Sequence, residues 1–184
     1  MRECQANNQF KLFCAKKNVD PTLKLSRQNL LLAATGDVYE AIVLIIFWVY
    51  PRNMKGNNFV NILASITQLK KMITKNGELS RSQFLLISDK LKGSSIGLST
   101  LSKILYFFEV KIEGYKSLIL DQRIIEILNS GLYVELTSLN HINEYNKTEL
   151  YAEYLALMND AANALEMIPD QLEYYFFVAQ LLVV

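Results

Sequence analysis

Two residues in this sequence have the types and spacing to do chemistry together: Lys103, within SKILYFF, and Asp121, within LILDQRII, eighteen positions later. A neutral amine is a nucleophile, and a carboxylate beside it can stabilise positive charge developing on the carbon under attack. Just before the lysine comes a bend of small residues, Lys92 to Ser99, containing Gly93, Ser94, Ser95 and Gly97. Such a bend leaves backbone N–H groups unpaired at the start of the next helix. It is suited to holding one phosphate of a nucleic-acid backbone without reading sequence.

The elements that must position these residues are helices. Ser80 is a predicted N-cap, followed by a helix with Phe84, Leu85, Ile87 and Leu91 inward. Ser99 is placed to cap the second helix of the hairpin, Thr100 to about Phe108. The segment VKIEGYKSLIL, β-branched and aromatic around Gly114, is predicted to be extended or a short hairpin that returns the chain to Asp121. Asp121 then caps a helix from Gln122 to Asn129 that ends at Gly131.

Upstream, Ser26 caps a short helix to Ala34. Gly36 breaks it before an almost wholly apolar helix, Asp37 to Tyr50, expected in the middle of the core. Phe59, Ile62, Leu63, Ile66, Leu69 and Ile73 follow at helical spacing, with Lys70, Lys71 and Lys75 on the polar face. The first 25 residues read as partly irregular, with a turn at Asp20-Pro21. Toward the C-terminus, Leu150, Tyr154, Leu157, Met158, Ala161 and Leu165 are predicted to point inward from a long helix. Leu172, Tyr175, Phe176, Ala179 and Leu182 do so from a final one that starts at Pro169. The expected class is all-α, with a short extended segment near 110–120.

At this point the chain resembles the helix-hairpin-helix DNA glycosylases, most closely the 8-oxoguanine glycosylase fold, in which a hairpin, a lysine-bearing helix and an aspartate follow one another. The similarity covers about Ser80 to Gly131. Its Lys103-to-Asp121 spacing is that of the family's lysine and aspartate, whereas Ser95 stands where a first hairpin glycine is usual and Ser99 where the lysine would fall. The resemblance implies a single two-lobed, glycosylase-like domain over residues 1–184 with its hairpin at about 80–109. Lys103 and Asp121 would be catalytic, and Lys92, Gly93, Ser94, Ser95, Gly97 and Ser99 would bind the DNA backbone. The implied partner is double-stranded DNA carrying a damaged base, oxidised guanine by default.

Excision breaks the bond from C1′ to the base through a transition state in which the sugar gathers positive charge, which Asp121 would stabilise. Lys103 would add to C1′ and form a Schiff base, from which the 3′ phosphate leaves by β-elimination, an AP-lyase step. A lysine in water has a pKa of about 10.4, so its neutral form at pH 7 costs about 4.6 kcal/mol, which a dehydrated pocket must offset. The target base must leave the stack and rest against aromatic side chains, for which Trp48, Tyr106, Phe107 and Tyr115 are available. Plainer roles also fit: on a helical wheel Lys103 falls opposite Leu101, Ile104, Leu105 and Phe108, where a solvated lysine belongs, and Asp121 could be only a cap. A DNA-binding module without chemistry is a second reading, and a protein-interaction domain using the acidic C-terminal third is a third.

Composition bounds the rest. Residues 1–123 carry eighteen Lys/Arg against nine Asp/Glu and residues 124–184 one against nine, so the near-neutral total hides a charge of about +9 facing about −8. The basic part could neutralise several phosphates, making binding salt-dependent. Cys4 and Cys14 are too few for a four-thiolate cluster or a disulfide framework. His141, the one histidine, lies far from any nucleophile motif and reads as a surface or capping residue, so no metal site and no cofactor are expected. The longest apolar run, Ala41 to Tyr50, is half a membrane span, and the N-terminus lacks a signal-peptide run, so an intracellular protein is expected.

Overall fold

A computed structural model describes residues 2–3, 8–17, 24–51, 59–74 and 77–179. It is mostly helical. Helix α1 (Asn8–Lys17) is followed by α2 (Arg27–Ala33), α3 (Val38–Val49) and α4 (Phe59–Met72). The hairpin helices are α5 (Arg81–Lys90) and α6 (Leu98–Phe107), and the chain ends in α7 (Gln122–Asn129), a 3-10 helix at Val134–Leu139, α8 (Tyr151–Ala164) and α9 (Pro169–Ala179). No described helix is long and apolar enough to cross a membrane. The Asp20-Pro21 turn, Lys75, Leu182 and Cys4 lie outside the described residues.

Local chemistry sets the helix ends. Ser26 and Ser80 each form a reciprocal capping box, with Asn29 and Gln83 respectively, and the Asp37 carboxylate accepts the Glu40 N–H at 2.9 Å. Helix α3 is apolar on every side and lies in the core, packed on α2, α4 and α6. Its Ile42, Val43, Ile45, Ile46 and Phe47 are wholly buried, each such burial contributing about 1.5–3 kcal/mol. The helices α7, α8 and α9 and the 3-10 helix form a second packing group, and buried residues of both groups join in one apolar cluster.

The extended segment near 110–120 is a hairpin of β4 (Lys111–Ile112) and β5 (Tyr115–Lys116), turned at Glu113 and Gly114, which both take positive φ (51° and 83°) as a two-residue hairpin turn requires. Sequence reading did not find its partner. Strand β3 (Glu78–Leu79) pairs parallel with β4, so the α5–hairpin–α6 unit is a crossover whose two ends are tied together. In the first 25 residues, β1 (Arg2–Glu3) and β2 (Lys24–Leu25) also pair, bracketing α1.

Two expectations about helix faces are corrected. Helix α8 buries Tyr151, Tyr154, Leu155, Met158 and Ala162, and Leu165 is 59% exposed, so its inward face is rotated from the one expected. The cause is the paired tyrosines, whose hydroxyls have carbonyl partners inside the protein. Helix α9 turns Glu173 inward and leaves Tyr175 more than half exposed. Ser99 does not cap α6: the helix starts at Leu98, and its N-cap is Gly97.

Candidate active site

Helix α6 is buried on all sides, from Leu98 through Phe107 apart from half-buried Ser99. Its polar flank is therefore covered, and Lys103, for which a solvated position was the plainer alternative to a catalytic one, is only 4% exposed. The ammonium Nζ donates to the Ser99 carbonyl at 3.1 Å, to Ser99 Oγ at 2.9 Å and to Asp121 Oδ2 at 3.2 Å. A buried lysine needs such acceptors, because an ammonium removed from water without them is strongly disfavoured. Ser99 is thus a clamp on Lys103 from one turn earlier.

Asp121 divides its carboxylate between two tasks. Oδ1 accepts the Arg123 N–H at 3.2 Å and caps α7, while Oδ2 meets Lys103. The positive end of α7 adds to the field that favours a negative charge there. The capping role considered for Asp121 thus coexists with its contact to Lys103, whereas burial excludes the solvated role considered for the lysine.

The pair opens on a cavity of about 280 Å³ lined by Arg27, Trp48, Lys103, Ile119, Asp121, Ile124, Glu173, Tyr174 and Phe177. It lies between the two packing groups. Of the aromatic candidates, Trp48 is in this cavity, its ring edge-on to Phe107 at 5.4 Å. Tyr106 and Tyr115 line a different cavity of about 450 Å³ together with Lys111, Lys116 and Asp170. The Tyr106 hydroxyl is pushed up by burial and by Asp170.

Arg27 and Glu173 escaped the sequence reading. Glu173 is 1% exposed and takes two donors, Arg27 Nη2 at 2.7 Å and the Ile119 N–H at 2.9 Å. Burial pushes its carboxyl above the usual range, while Arg27 and the Ile119 N–H pull it back. Arg27 also lies over the rings of Tyr106 and Tyr174, 5.2 and 5.8 Å from their centroids. A single acid within the apolar run LEYYFF was the available signal for Glu173. Arg27, the first residue of a capped helix, carried none.

The hairpin connects α5 to this site. Gly93 and Ser95 take positive φ (82° and 65°), and the buried Ser94 hydroxyl donates to the Leu91 carbonyl at 2.6 Å and accepts the Ile96 N–H at 3.3 Å. Gly97 offers no side-chain acceptor to the first turn of α6. Lys92 is exposed and paired with Asp89 at 2.7 Å. His141 is exposed, its carbonyl accepting from the Asn143 and Asn146 side chains. Among the described residues, no three His, Cys, Asp or Glu gather where they could hold a metal ion.

No curated protein and no solved structure matches the chain. A family does: residues 4–177 match the one described as "Putative 8-oxoguanine DNA glycosylase OGG-like protein". The match spans nearly the whole chain, which makes it a member of that OGG-like glycosylase family.

Proposed function

We propose that this chain, acting as one glycosylase-like unit, excises a damaged base from double-stranded DNA, 8-oxoguanine by family resemblance, and cleaves the resulting site by an AP-lyase step. The observation that supports this most is the 3.2 Å contact between Lys103 Nζ and Asp121 Oδ2 in a cavity walled by Trp48. The flipped nucleotide enters that cavity with its base against Trp48. Lys103 loses a proton and its lone pair bonds to C1′. The bond from C1′ to the base breaks, its electrons leave with the base, and the base takes up a proton. Asp121 Oδ2 stabilises the cationic sugar as that bond breaks. Opening of the sugar ring yields the Schiff base, and loss of a C2′ proton expels the 3′ phosphate.

The hairpin grips the backbone through its exposed parts, Lys92, Gly93 and the Gly97 turn, with half-buried Ser95 beside them. Ser94 contributes by shaping the bend, its hydroxyl being used inside it, and Ser99 by clamping Lys103. Tyr106 and Tyr115 line the other cavity, and Tyr106 reaches the site of Lys103 through Arg27, which lies over its ring.

Borohydride trapping on duplexes carrying 8-oxoguanine or an abasic site, with wild type and Lys103→Gln in parallel, tests this function. The expected result is a covalent adduct lost in the variant, with DNA affinity kept. Excision retained by Lys103→Gln overturns the assignment, and Lys111 and Lys116 become the amines to test. No adduct on either substrate with salt-sensitive DNA binding indicates a binding module, and no binding at physiological salt an interaction domain.

A further inference from the structure

The residues immediately before the lysine and the aspartate are bonded to each other. The Leu120 N–H donates to Ser102 Oγ at 3.2 Å, and Ser102 Oγ donates to the Ser99 carbonyl at 3.3 Å. That carbonyl is also an acceptor of Lys103 Nζ. The hydroxyl of Ser102 therefore ties the peptide that leads into Asp121 to the turn of α6 that clamps Lys103.

This bond stands out against what else holds the run from Leu118 to Asp121. The run belongs to no helix or strand, so its peptide groups must find partners elsewhere. The carbonyls of Leu118 and Ile119 accept from the hydroxyls of Tyr151 (2.6 Å) and Tyr154 (3.0 Å), and the Ile119 N–H goes to Glu173. Those three anchors belong to α8 and α9, in the second packing group. Ser102 is the anchor on α6, the helix of Lys103, and it is wholly buried, so water cannot replace it. Without it, the side-chain hydrogen bonds left on Leu118 and Ile119 would tie the run to α8 and α9 alone.

We propose that Ser102 is a positioning residue that sets Asp121 in register with Lys103, an inference that deepens the glycosylase reading and rests on it for its kinetic test. Displacement of a catalytic group by about 1 Å costs up to about 100-fold in rate, so loss of this register is felt in the chemical step rather than in DNA affinity.

The test compares Ser102→Ala in the wild-type and Asp121→Asn backgrounds, by single-turnover excision at saturating 8-oxoguanine duplex and by carboxyl-carbon NMR of Asp121 across pH. Expected for Ser102→Ala are a folded protein with unchanged duplex affinity, a rate lowered about 10- to 100-fold, and an altered Asp121 carboxyl resonance. In the Asp121→Asn background the same substitution adds little further loss, because the group it positions is already gone. A wild-type rate in Ser102→Ala, or an equal loss in both backgrounds, overturns the proposal. If wild type itself shows no excision, the glycosylase reading fails. Positioning is then judged by the resonance, which must move in Ser102→Ala, and an unmoved resonance refutes it. Should Ser102→Ala not fold, Ser102→Cys keeps the shape with a weaker acceptor, and the same readouts apply to it.

Discussion

The Arg27 guanidinium meets the Glu173 carboxylate at 2.7 Å, joining α2 to α9 across the cavity that holds Lys103 and Asp121. Glu173 is nearly inaccessible, and its second oxygen holds the Ile119 N–H, two residues before Asp121. Desolvation offsets much of the attraction in an ion pair so placed.

That pair predicts a pH dependence of folding. Burial raises the Glu173 carboxyl above its unfolded value, with Arg27 opposing. Between the unfolded value, about 4.3, and the elevated folded one, the native state binds more protons. The contribution of Glu173 to stability is therefore fully present below the unfolded value and is lost as pH rises through the folded one. Urea titrations over this window should show that decline in wild type and its absence in Glu173→Gln. The same slope in both proteins would assign the dependence to another group.

Asp121→Asn and Asp121→Ala separate the cap from the charge. Asparagine caps as well as aspartate, whereas alanine loses about 1 kcal/mol at an N-cap. Thermal melts should therefore place Ala below Asn. Excision should fall about 100-fold or more in both, the typical cost of losing one preorganised electrostatic group. Near-normal excision by Asp121→Asn would deny the carboxylate its part.

Tyr151→Phe and Tyr154→Phe each strip a hydroxyl from a buried carbonyl, Leu118 and Ile119 respectively. An orphaned buried acceptor costs about 1–3 kcal/mol. Each variant is expected to lower the denaturation midpoint by that equivalent with an unchanged m-value, and an unshifted midpoint would show that the run finds other partners.

Trp48 is the sole tryptophan and lines the cavity of Lys103. Its emission should change when a duplex with 8-oxoguanine binds and change much less with an undamaged duplex of equal affinity. Identical emission on saturation by both would place the base elsewhere.

The exposed hairpin lysine makes a simple electrostatic prediction. Lys92→Ala should weaken binding to every duplex alike and reduce the magnitude of the log–log salt slope by about one. A change confined to damaged duplexes would mean that Lys92 reads the lesion and does not grip the backbone.

Much of this architecture was legible because it is local. The caps at Ser26, Asp37, Ser80 and Asp121 act on N–H groups two or three residues away, so residue type and spacing sufficed to start those helices. The spacing of Lys103 and Asp121 was equally readable, as were the extended turn at Gly114 and the close of α7 at Gly131. Ser99 misled because serine is the common cap, whereas glycine in the extended conformation at residue 97 begins the helix two residues earlier.

Tertiary structure decided what a helical wheel cannot contain. A wheel shows that Lys103 lies off the apolar face of α6, and only tertiary packing, which brings Asp121 and the other walls of the cavity over that flank, makes it a buried lysine. The same holds for Tyr151, whose burial depends on a carbonyl 33 residues earlier, and for Glu173, whose partner Arg27 is 146 residues away. Sequence by itself determined where helices begin and which residue types were on hand for chemistry, since those depend on neighbours along the chain. Which polar groups are removed from water, and which then face each other, was decided by long-range packing, because desolvation depends on everything that folds over a side chain.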